Sequence, residues 1–334
     1  MLKLSVLDQS VAVSGRTEDA SIRETLALAQ HCEGLGYHRF WVSEHHSHPS
    51  IVGSAPEVLM AAIAATTRRI RVGSAGVMLP HYSALKVAEQ FRVLEALAPG
   101  RIDLGVGRAP GSDQRTARLL SADPRHSAEN FPVQVRELQA WVLGAELPDG
   151  HPGHGITANP QGPTSPELWM LGSSDYGAQL AAHYGLPYAF AYFITDGQGA
   201  REALDLYRQL YRPSLRHPVP EAVLCVWALA ADTEAEAWHH FSGRERWKID
   251  RNQGALGPLP SPAEVALRPY SAAEQVEVQR LRSGALVGSG PQVATKLRAL
   301  ADTLGVEELV VITWTHDPGA QRRSYELLAR ELMP

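Results

Sequence analysis

The sequence predicts an α/β fold, a (β/α)8 TIM barrel, and two observations carry that prediction. Strand-like and helix-like segments alternate from one end of the 334-residue chain to the other, and eight strand–helix units can be distinguished. The turn after the first strand, Asp8-Gln9-Ser10-Val11, lacks the GxGxxG loop that a doubly wound open sheet favours. An open sheet also alternates, so it remains the alternative fold.

The predicted strands are short apolar segments in which β-branched and aromatic residues are frequent. Several are followed by glycine, serine or proline, which favour turns. In chain order they are Leu2–Asp8, His38–Ser43, Ile70–Met78, Arg101–Gly107, Leu168–Leu171, Pro187–Phe193, Ala222–Ala230 and Glu308–Trp314.

Helices are predicted between the strands from apolar residues near a 3.6 period and from capping signals. Ser21-Ile-Arg-Glu24 and Ser54-Ala-Pro-Glu57 have the spacing of capping boxes, whose side chains bond free N–H groups at a helix start. Gly34, Gly36 and Pro99-Gly100 are predicted stops. In chain order the helices cover about 22–33, 55–66, 83–97, 174–184, 199–211, 233–241, 291–304 and 318–332.

Two long segments interrupt this alternation, and both are predicted insertions. One, about 112–165, follows the fourth strand and is polar and partly helical. The other, about 242–286, follows the seventh strand, contains several prolines and is predicted to be irregular. Barrel loops of this length are usually functional, so 242–286 is a candidate lid. Because α/β barrels often exceed 250 residues, the whole chain 1–334 is expected to form a single domain.

Composition narrows the class of function. Lys plus Arg total 31 and Asp plus Glu total 36, so the formal net charge is −5. Nucleic-acid binders usually carry a basic surface, so we expect none here. No stretch approaches the ~18 apolar residues of a membrane helix, and the first apolar run is too short for a signal peptide. We expect a cytoplasmic protein whose Cys32 and Cys225 are buried thiols.

An anion site is predicted where the fourth and fifth strands end, because active sites of such barrels lie at the C-terminal ends of the strands. Arg108 follows the fourth strand, and Ser173 and Ser174 begin the helix after the fifth. A guanidinium fork and the free N–H groups of a helix start together favour a phosphate. In the alternative interpretation the serines cap the helix and Arg108 pairs with Asp113 or Asp175.

Two adjacent histidines, His45 and His46, follow the second strand and are the candidate catalytic residues. Histidine titrates near neutral pH, so either could serve as general acid or base. Adjacent strand residues point to opposite faces, so only one should face the pocket unless the strand has ended. A structural histidine bonded to backbone is the alternative. A metal site at His45, His46 and His48 is disfavoured because the cluster lacks a nearby cysteine and an HxH pair facing an acidic ligand, and no metal is expected.

Four glycines lie on the adjacent third and fourth strands: Gly73, Gly76, Gly105 and Gly107. They leave part of the barrel mouth without side chains. Either tight packing requires them, or a flat ring system approaches the backbone there.

The chain resembles the bacterial luciferase-like flavin monooxygenases. EHH at 44–46, VGSAGVMLP at 72–80 and PGRIDLGVGR at 99–108 occur in the order found in that family. The likeness extends to LGSSDYGAQL after the fifth strand and to GSGPQVATKL near the C-terminus. It covers most of the chain outside the two insertions, and it is greatest for the group whose N-terminus reads like SVLDQS.

The resemblance implies a barrel that binds FMN, supplied in reduced form by a separate, transiently bound flavin reductase. Reduced FMN and dioxygen then oxygenate a small organic substrate. His45 matches the pocket histidine of luciferase, and Arg108 matches its phosphate-binding arginine. Gly107 replaces luciferase's reactive cysteine, so light emission is not implied.

The same resemblance supplies the predicted cofactor site. Ser174 lies at the phosphate-binding serine, and Ala75-Gly76 matches a pair joined by a non-prolyl cis peptide beneath the flavin ring. The predicted cofactor residues are Ala75, Gly76, Arg108, Ser173, Ser174 and Tyr176.

Two other functions are possible for a chain of this family, and a homodimer is the expected assembly. The chain could instead be a deazaflavin-dependent hydride-transfer reductase of the same superfamily, or a flavin-binding protein without catalysis. A homodimer is expected through the helices Ala55–Thr66 and Ser83–Leu97, which carry small and apolar residues. The resemblance implies the same, because the luciferase-like relatives form dimers through these two helices.

Overall fold

Eight parallel strands close into a barrel in the computed structural model, which describes residues 2–121 and 123–333. Each barrel strand pairs with the next, and the last returns to the first, so the barrel prediction is confirmed and the open sheet is excluded. The strands are β1 (Lys3–Asp8), β2 (Arg39–Val42), β3 (Arg71–Met78), β4 (Ile102–Gly107), β5 (Glu167–Gly172), β6 (Tyr188–Phe190), β7 (Ala222–Ala231), β8 (Leu286–Ser289) and β9 (Glu308–Ile312).

Strand β8 lies outside the barrel. It pairs in parallel with the end of β7, while the earlier part of β7 pairs with β6 and β9. The barrel order is therefore β1-β2-β3-β4-β5-β6-β7-β9, and every barrel strand overlaps a predicted one.

Helices surround the barrel, and none in the described part of the chain is both long and apolar enough to span a membrane. A short 3-10 turn covers Leu79–His81. The α-helices are α1 (Glu18–Leu35), α2 (Pro56–Thr66), α3 (Ala84–Leu97), α4 (Gln114–Leu120), α5 (Pro124–Glu129), α6 (Phe131–Leu143), α7 (Asp175–Tyr184), α8 (Tyr192–Thr195), α9 (Ala200–Leu210), α10 (Glu234–Asn252), α11 (Pro262–Ala266), α12 (Ala272–Ser283), α13 (Gly290–Leu304) and α14 (Pro318–Leu332).

Both predicted capping boxes are wrong. Helix α1 begins one turn earlier, after Thr17, so Ser21 lies inside it and donates its hydroxyl to the Val11 carbonyl at 2.8 Å. Helix α2 begins at Pro56 after Ala55, with no side-chain cap. At both places the tertiary contacts and proline, rather than a serine cap, set the helix start.

The segment 242–286 is largely helical, which corrects the prediction of an irregular insertion. Helix α10 continues through Asn252 because no proline occurs before Pro258, and it buries Phe241, Glu245 and Ile249 on one face. Helices α11 and α12 and strand β8 follow. The proline content obscured this helical periodicity.

Alternating residues on each strand divide the core into two layers. On β7, Val223, Cys225 and Trp227 face the barrel interior, while Leu224 and Val226 pack against the helices. This is the period-2 alternation of a barrel strand. Both cysteines are buried and free, as predicted.

A buried ion network lies at the start of the strands. The Arg39 guanidinium is 3.0 Å from both the Asp103 and Glu308 carboxylates, and Arg71 also pairs with Asp103. The two arginines hold the pKa of Asp103 below its ordinary value despite its burial. The predicted site residues lie at the opposite, C-terminal end of the strands.

Candidate functional site

The C-terminal ends of the strands surround a cavity of about 460 Å³. This is within the usual size of a ligand site. Seven of the eight predicted site residues line it, whereas His46 does not. The seven are His45, Ala75, Gly76, Arg108, Ser173, Ser174 and Tyr176.

Arg108 and the start of α7 lie on one wall of this cavity. The Arg108 guanidinium carbon is 3.9 Å from the centre of the Tyr176 ring, and the residue forms no ion pair with the described residues. Asp113 is engaged elsewhere, because its carboxylate accepts the Thr116 N–H at 2.7 Å at the start of α4. The alternative ion pairs of Arg108 are therefore not formed.

Ser174 occupies the N-cap position of α7, but its hydroxyl makes no capping hydrogen bond. Its carbonyl accepts the Tyr188 hydroxyl at 3.0 Å, which fixes the backbone of the turn. The helix start thus keeps free N–H groups and a free hydroxyl beside an unpaired guanidinium. Such a set of donors suits a phosphate group.

Glu44 holds the turn after β2 against the end of β3. Its buried carboxylate accepts the Tyr82 hydroxyl at 2.7 Å and the Met78 N–H at 3.1 Å, and lies 2.6 Å from His46 Nε2. His46 is thereby turned into this polar cluster and away from the cavity wall. The two histidines point in different directions although both lie beyond Val42, where β2 ends, so alternation along the strand is not the cause.

His45 borders the cavity and is held by its backbone N–H, which donates to the Gly53 carbonyl at 2.9 Å. Its Nδ1 is buried without a partner among the described residues. Burial, followed by the neighbouring His48 and His46, lowers the pKa of His45 to about 4. The imidazole is therefore neutral at pH 7, and one ring nitrogen is free for a ligand.

His48, in contrast, is a structural histidine. Its Nδ1 accepts the N–H groups of Ser50 and Ile51 at 3.1 and 3.2 Å. In the part of the chain that the structure describes, the metal-compatible cluster is Glu167, His217 and Glu221, not the three histidines of the turn.

The peptide bond between Ala75 and Gly76 is cis, as the resemblance implied. The glycines nearby serve two different purposes. A Cβ at Gly105 would lie 2.1 Å from the Ser74 carbonyl oxygen, and one at Gly76 would lie 2.2 Å from Leu171 Cδ1. A Cβ at Gly73 would overlap Trp41 and Asp103, whereas Gly107 has open space at the cavity. Tight packing therefore requires three of the four glycines.

One wall of the cavity was not predicted from the sequence. Helix α10 supplies it. Arg244, Lys248 and Arg251 are spaced i, i+4 and i+7 on that helix and line the cavity with Trp247. Their helical spacing was the available signal, and assigning the segment as irregular hid it. The Arg244 guanidinium carbon lies 4.5 Å from the Trp227 ring centre.

Comparison with known proteins gives relatives that match over nearly the whole length. The chain is 38% identical over 331 residues to the N-acetyl-S-alkylcysteine monooxygenase of Bacillus subtilis, with 98% of each chain covered. Its structure is similar to the crystal structure of apo-MsnO8, with a TM-score of 0.90 and 38% identity over 99% of this chain and 98% of that one.

More distant solved structures share the fold. One is the oxygenating constituent of 3,6-diketocamphane monooxygenase of Pseudomonas putida in complex with FMN, with a TM-score of 0.71 and 20% identity over 100% of this chain and 98% of that one. Another is an F420-dependent secondary alcohol dehydrogenase, with a TM-score of 0.69 and 13% identity over 100% of this chain and 99% of that one. The family model described as luciferase-like monooxygenase matches residues 2–308. The chain therefore belongs to the luciferase-like monooxygenase family.

Proposed function

We propose that the protein is a monooxygenase that binds FMN in this cavity and uses reduced FMN with dioxygen to oxygenate a small organic substrate. The observation that carries the proposal is the unpaired Arg108 beside the uncapped start of α7. Family membership and the relative named as a monooxygenase support the oxygenase activity.

The residues present fit FMN. Arg108, Ser173 and Ser174 would hold the phosphate, and the Tyr176 ring packs against the guanidinium. The cis peptide Ala75-Gly76 would lie against the flat ring, with open space at Gly107. When bound, reduced flavin supplies the electrons with which dioxygen is activated.

His45 would hold a proton near the reacting atoms. Because its pKa is about 4, the imidazole stays neutral at pH 7 and can accept a proton at one nitrogen while donating from the other. Its unpartnered Nδ1 leaves that nitrogen ready for the ligand. His46 is hydrogen-bonded to Glu44, so it would affect the reaction only indirectly, by holding the turn that carries His45.

Helix α10 and the chain after it would form the lid that excludes water. Trp247 Nε1 donates to Ser50 Oγ at 2.7 Å, and Ser50 Oγ donates to the Gly257 carbonyl at 2.6 Å. Leu259 is bonded to Ala12 and Ser14 by backbone hydrogen bonds of 2.8 and 3.0 Å. These contacts tie the lid to the turns after β1 and β2, above the cavity. Exclusion of water favours transfer of an oxygen atom to the substrate over side reactions that consume dioxygen without forming product.

Anaerobic titration with reduced FMN, followed by oxygen and a trial substrate, tests the proposal. N-acetyl-S-methylcysteine is the first trial substrate because the 38% identical relative is named for that class. We expect binding of FMN and a product heavier by one oxygen atom that derives from ¹⁸O₂. Reduced FMN from a separate reductase with NADH and FMN reduced by light should give the same product.

The deazaflavin and non-catalytic alternatives predict different results. A hydride-transfer reductase would bind F420 rather than FMN and consume no oxygen. A flavin-binding protein without catalysis would bind FMN but yield no oxygenated product from any substrate tried. The F420-dependent neighbour is only 13% identical and supports the fold alone.

A further inference from the structure

Arg244 is a cation without a counter-charge on the cavity wall. Its side chain forms no hydrogen bond or ion pair with the residues that the structure describes, and its Nε is buried without a partner. The guanidinium carbon lies 4.5 Å from the Trp227 ring centre and 5.8 Å from the Trp314 ring centre. The side chain as a whole is half-buried, and a cation withdrawn from water in this way is normally paired, so the arrangement indicates a missing anionic partner.

The neighbouring charges do not neutralise it. Asp196, the carboxylate whose charge acts on Arg244, is bound by Lys248 Nζ at 2.6 and 2.8 Å and also lies 3.9 Å from the Arg280 guanidinium. Arg251, one further turn along α10, lines the same cavity and forms no ion pair with the described residues. Three cations of α10 thus face a single carboxylate. Burial lowers the pKa of Arg244 to about 9, so the guanidinium remains charged at neutral pH.

The indole N–H groups beside Arg244 also lack acceptors. Trp227 Nε1 and Trp314 Nε1 are both buried without a hydrogen-bond partner among the described residues. All of these groups are donors, and none of them can accept a hydrogen bond. The wall therefore suits an acceptor-rich, negatively charged group.

This donor wall is separate from the phosphate site. Arg108 follows β4, whereas Trp227 belongs to β7 and Trp314 follows β9, three and four strands further round the barrel. The cavity thus offers two cationic positions on different sides. The phosphate of FMN would occupy one of them.

We propose that Arg244, held between Trp227 and Trp314, binds the carboxylate of the substrate, so that the enzyme selects small organic acids with an apolar remainder. The apolar remainder is accommodated by the indole faces and Cys225, which line the same part of the cavity. This inference rests on the proposed function, because it names the substrate class of that site.

Two matched pairs of ligands test the proposal by calorimetry on the apo protein and on the FMN-loaded protein. One pair is N-acetyl-S-methylcysteine and its methyl ester, and the other is phenylacetate and phenylacetamide. The members of a pair differ chiefly in charge. We expect each acid to bind roughly ten- to hundredfold more tightly than its neutral analogue, as for one charged hydrogen-bonded partner.

Arg244→Gln should lower the affinity for each acid to that for its neutral analogue and leave the neutral analogue unaffected. Arg212→Gln is the matched control, because Arg212 is exposed, forms no ion pair with the described residues and does not line the cavity. It should keep the preference for acids. Arg244→Lys should retain part of it, since the charge remains without the planar fork.

Several results would overturn the proposal. The first is a wild-type protein that binds neither acid, or binds both members of each pair equally, and this result needs no variant to fold. The second is a folded Arg244→Gln protein that still prefers acids. The third is loss of FMN affinity in Arg244→Gln, which would assign Arg244 to the flavin. Failure of the wild-type protein to bind FMN would instead refute the proposed function, and the apo titration would still decide the role of Arg244.

Discussion

Arg108 is exposed and stacked on Tyr176, so its guanidinium is oriented without being neutralised. His45 is kept neutral by burial, and its Nδ1 has no partner in the described structure. At the scale of single residues, the site therefore consists of groups whose ordinary partners are missing. The buried, unpartnered Nδ1 of His45 costs stability, and unpaired groups of this kind are typical of functional sites.

The affinity for FMN should depend on Arg108. We expect Arg108→Ala to weaken FMN binding by roughly one to two decades, because a charged hydrogen-bonding partner of the phosphate is lost. Equilibrium titration under anaerobic conditions measures it. Arg115→Ala, an exposed arginine of α4 outside the cavity, is the control. Equal affinities of Arg108→Ala and wild type would contradict the assignment.

Substitution of His45 should lower the turnover rate much more than it lowers the affinity for FMN. His45→Gln should bind FMN nearly normally but lose roughly 10²–10⁴ in turnover, the usual range for a lost proton-transfer group. His46→Gln should lose less, because His46 contacts Glu44 rather than the cavity. Rates of product formation at saturating FMN compare the two variants. Full turnover of His45→Gln would eliminate the proposed role.

The stability of the apo protein at low pH should also report on His45. Its pKa is lowered from 6.5 to about 4, so between these values the unfolded chain binds a proton that the folded protein excludes. The free energy of unfolding therefore falls as the pH drops from 6.5 to 4. His45→Gln should reduce this slope by up to about 1.4 kcal/mol per pH unit. Urea unfolding across this window measures the slope, and an unchanged slope in the variant would refute the shift.

Helix α10 is the element that completes the site. It follows β7, covers the cavity with Trp247 and three cations, and is tied through Ser50 to the turn after β2. Arg244, Lys248 and Arg251 lie on one face because they are spaced at i, i+4 and i+7. Arg246 lies off this face and pairs with Asp250 and Glu274. An element on the outside of the barrel thus supplies part of the cavity wall.

The lid should loosen when Ser50 loses its hydroxyl. Ser50→Ala removes two hydrogen bonds, from Trp247 and to Gly257, so we expect about 1–3 kcal/mol less stability. Water would then enter, and more oxygen would be consumed for each product molecule. The ratio of product to oxygen consumed measures this loss. Ser283→Ala, which removes an exposed hydroxyl bond on α12, should leave the ratio unchanged, and an unchanged ratio in Ser50→Ala would argue against a lid.

At the scale of the whole molecule, the outer face of α2 and α3 offers a partner fewer apolar residues than the sequence led us to expect. The apolar residues of α3 that were expected to meet a partner are largely used by the protein itself, since Ala88, Phe91 and Leu94 are buried in the core. The large apolar residues that remain exposed are Val58 of α2, at 64%, and Val93 and Leu97 of α3, at 48% and 66%. We propose that the homodimer forms on this smaller patch.

A charged residue in this patch should dissociate the dimer. We expect wild type to scatter light as a dimer at micromolar concentration and Val93→Glu to scatter as a monomer, because a carboxylate would be buried without a partner. Val276→Glu, an equally simple change at an exposed valine of α12, should remain a dimer. A monomeric wild type would refute the proposed dimer.

The strands of the barrel, the positions of Arg108 and Ser174 and the burial of both cysteines were predictable from sequence. Each depends on local patterns: apolar alternation, glycine and proline punctuation, and the rule that sites follow the C-terminal ends of strands. The helix starts at Ser21 and Ser54 were not predictable in this way. The Ser21 hydroxyl bonds the Val11 carbonyl inside a helix that begins one turn earlier, and α2 begins at Pro56 with no side-chain cap.

The sequence by itself determined the barrel and the residues at the end of each strand, because strand periodicity and turn chemistry are local properties. Only the tertiary structure decided which histidine borders the cavity, since that depends on the bond between His46 and Glu44. It also decided that Arg244 lacks a partner and that Gly107 leaves open space. Those properties arise from residues far apart in the chain, which packing brings together.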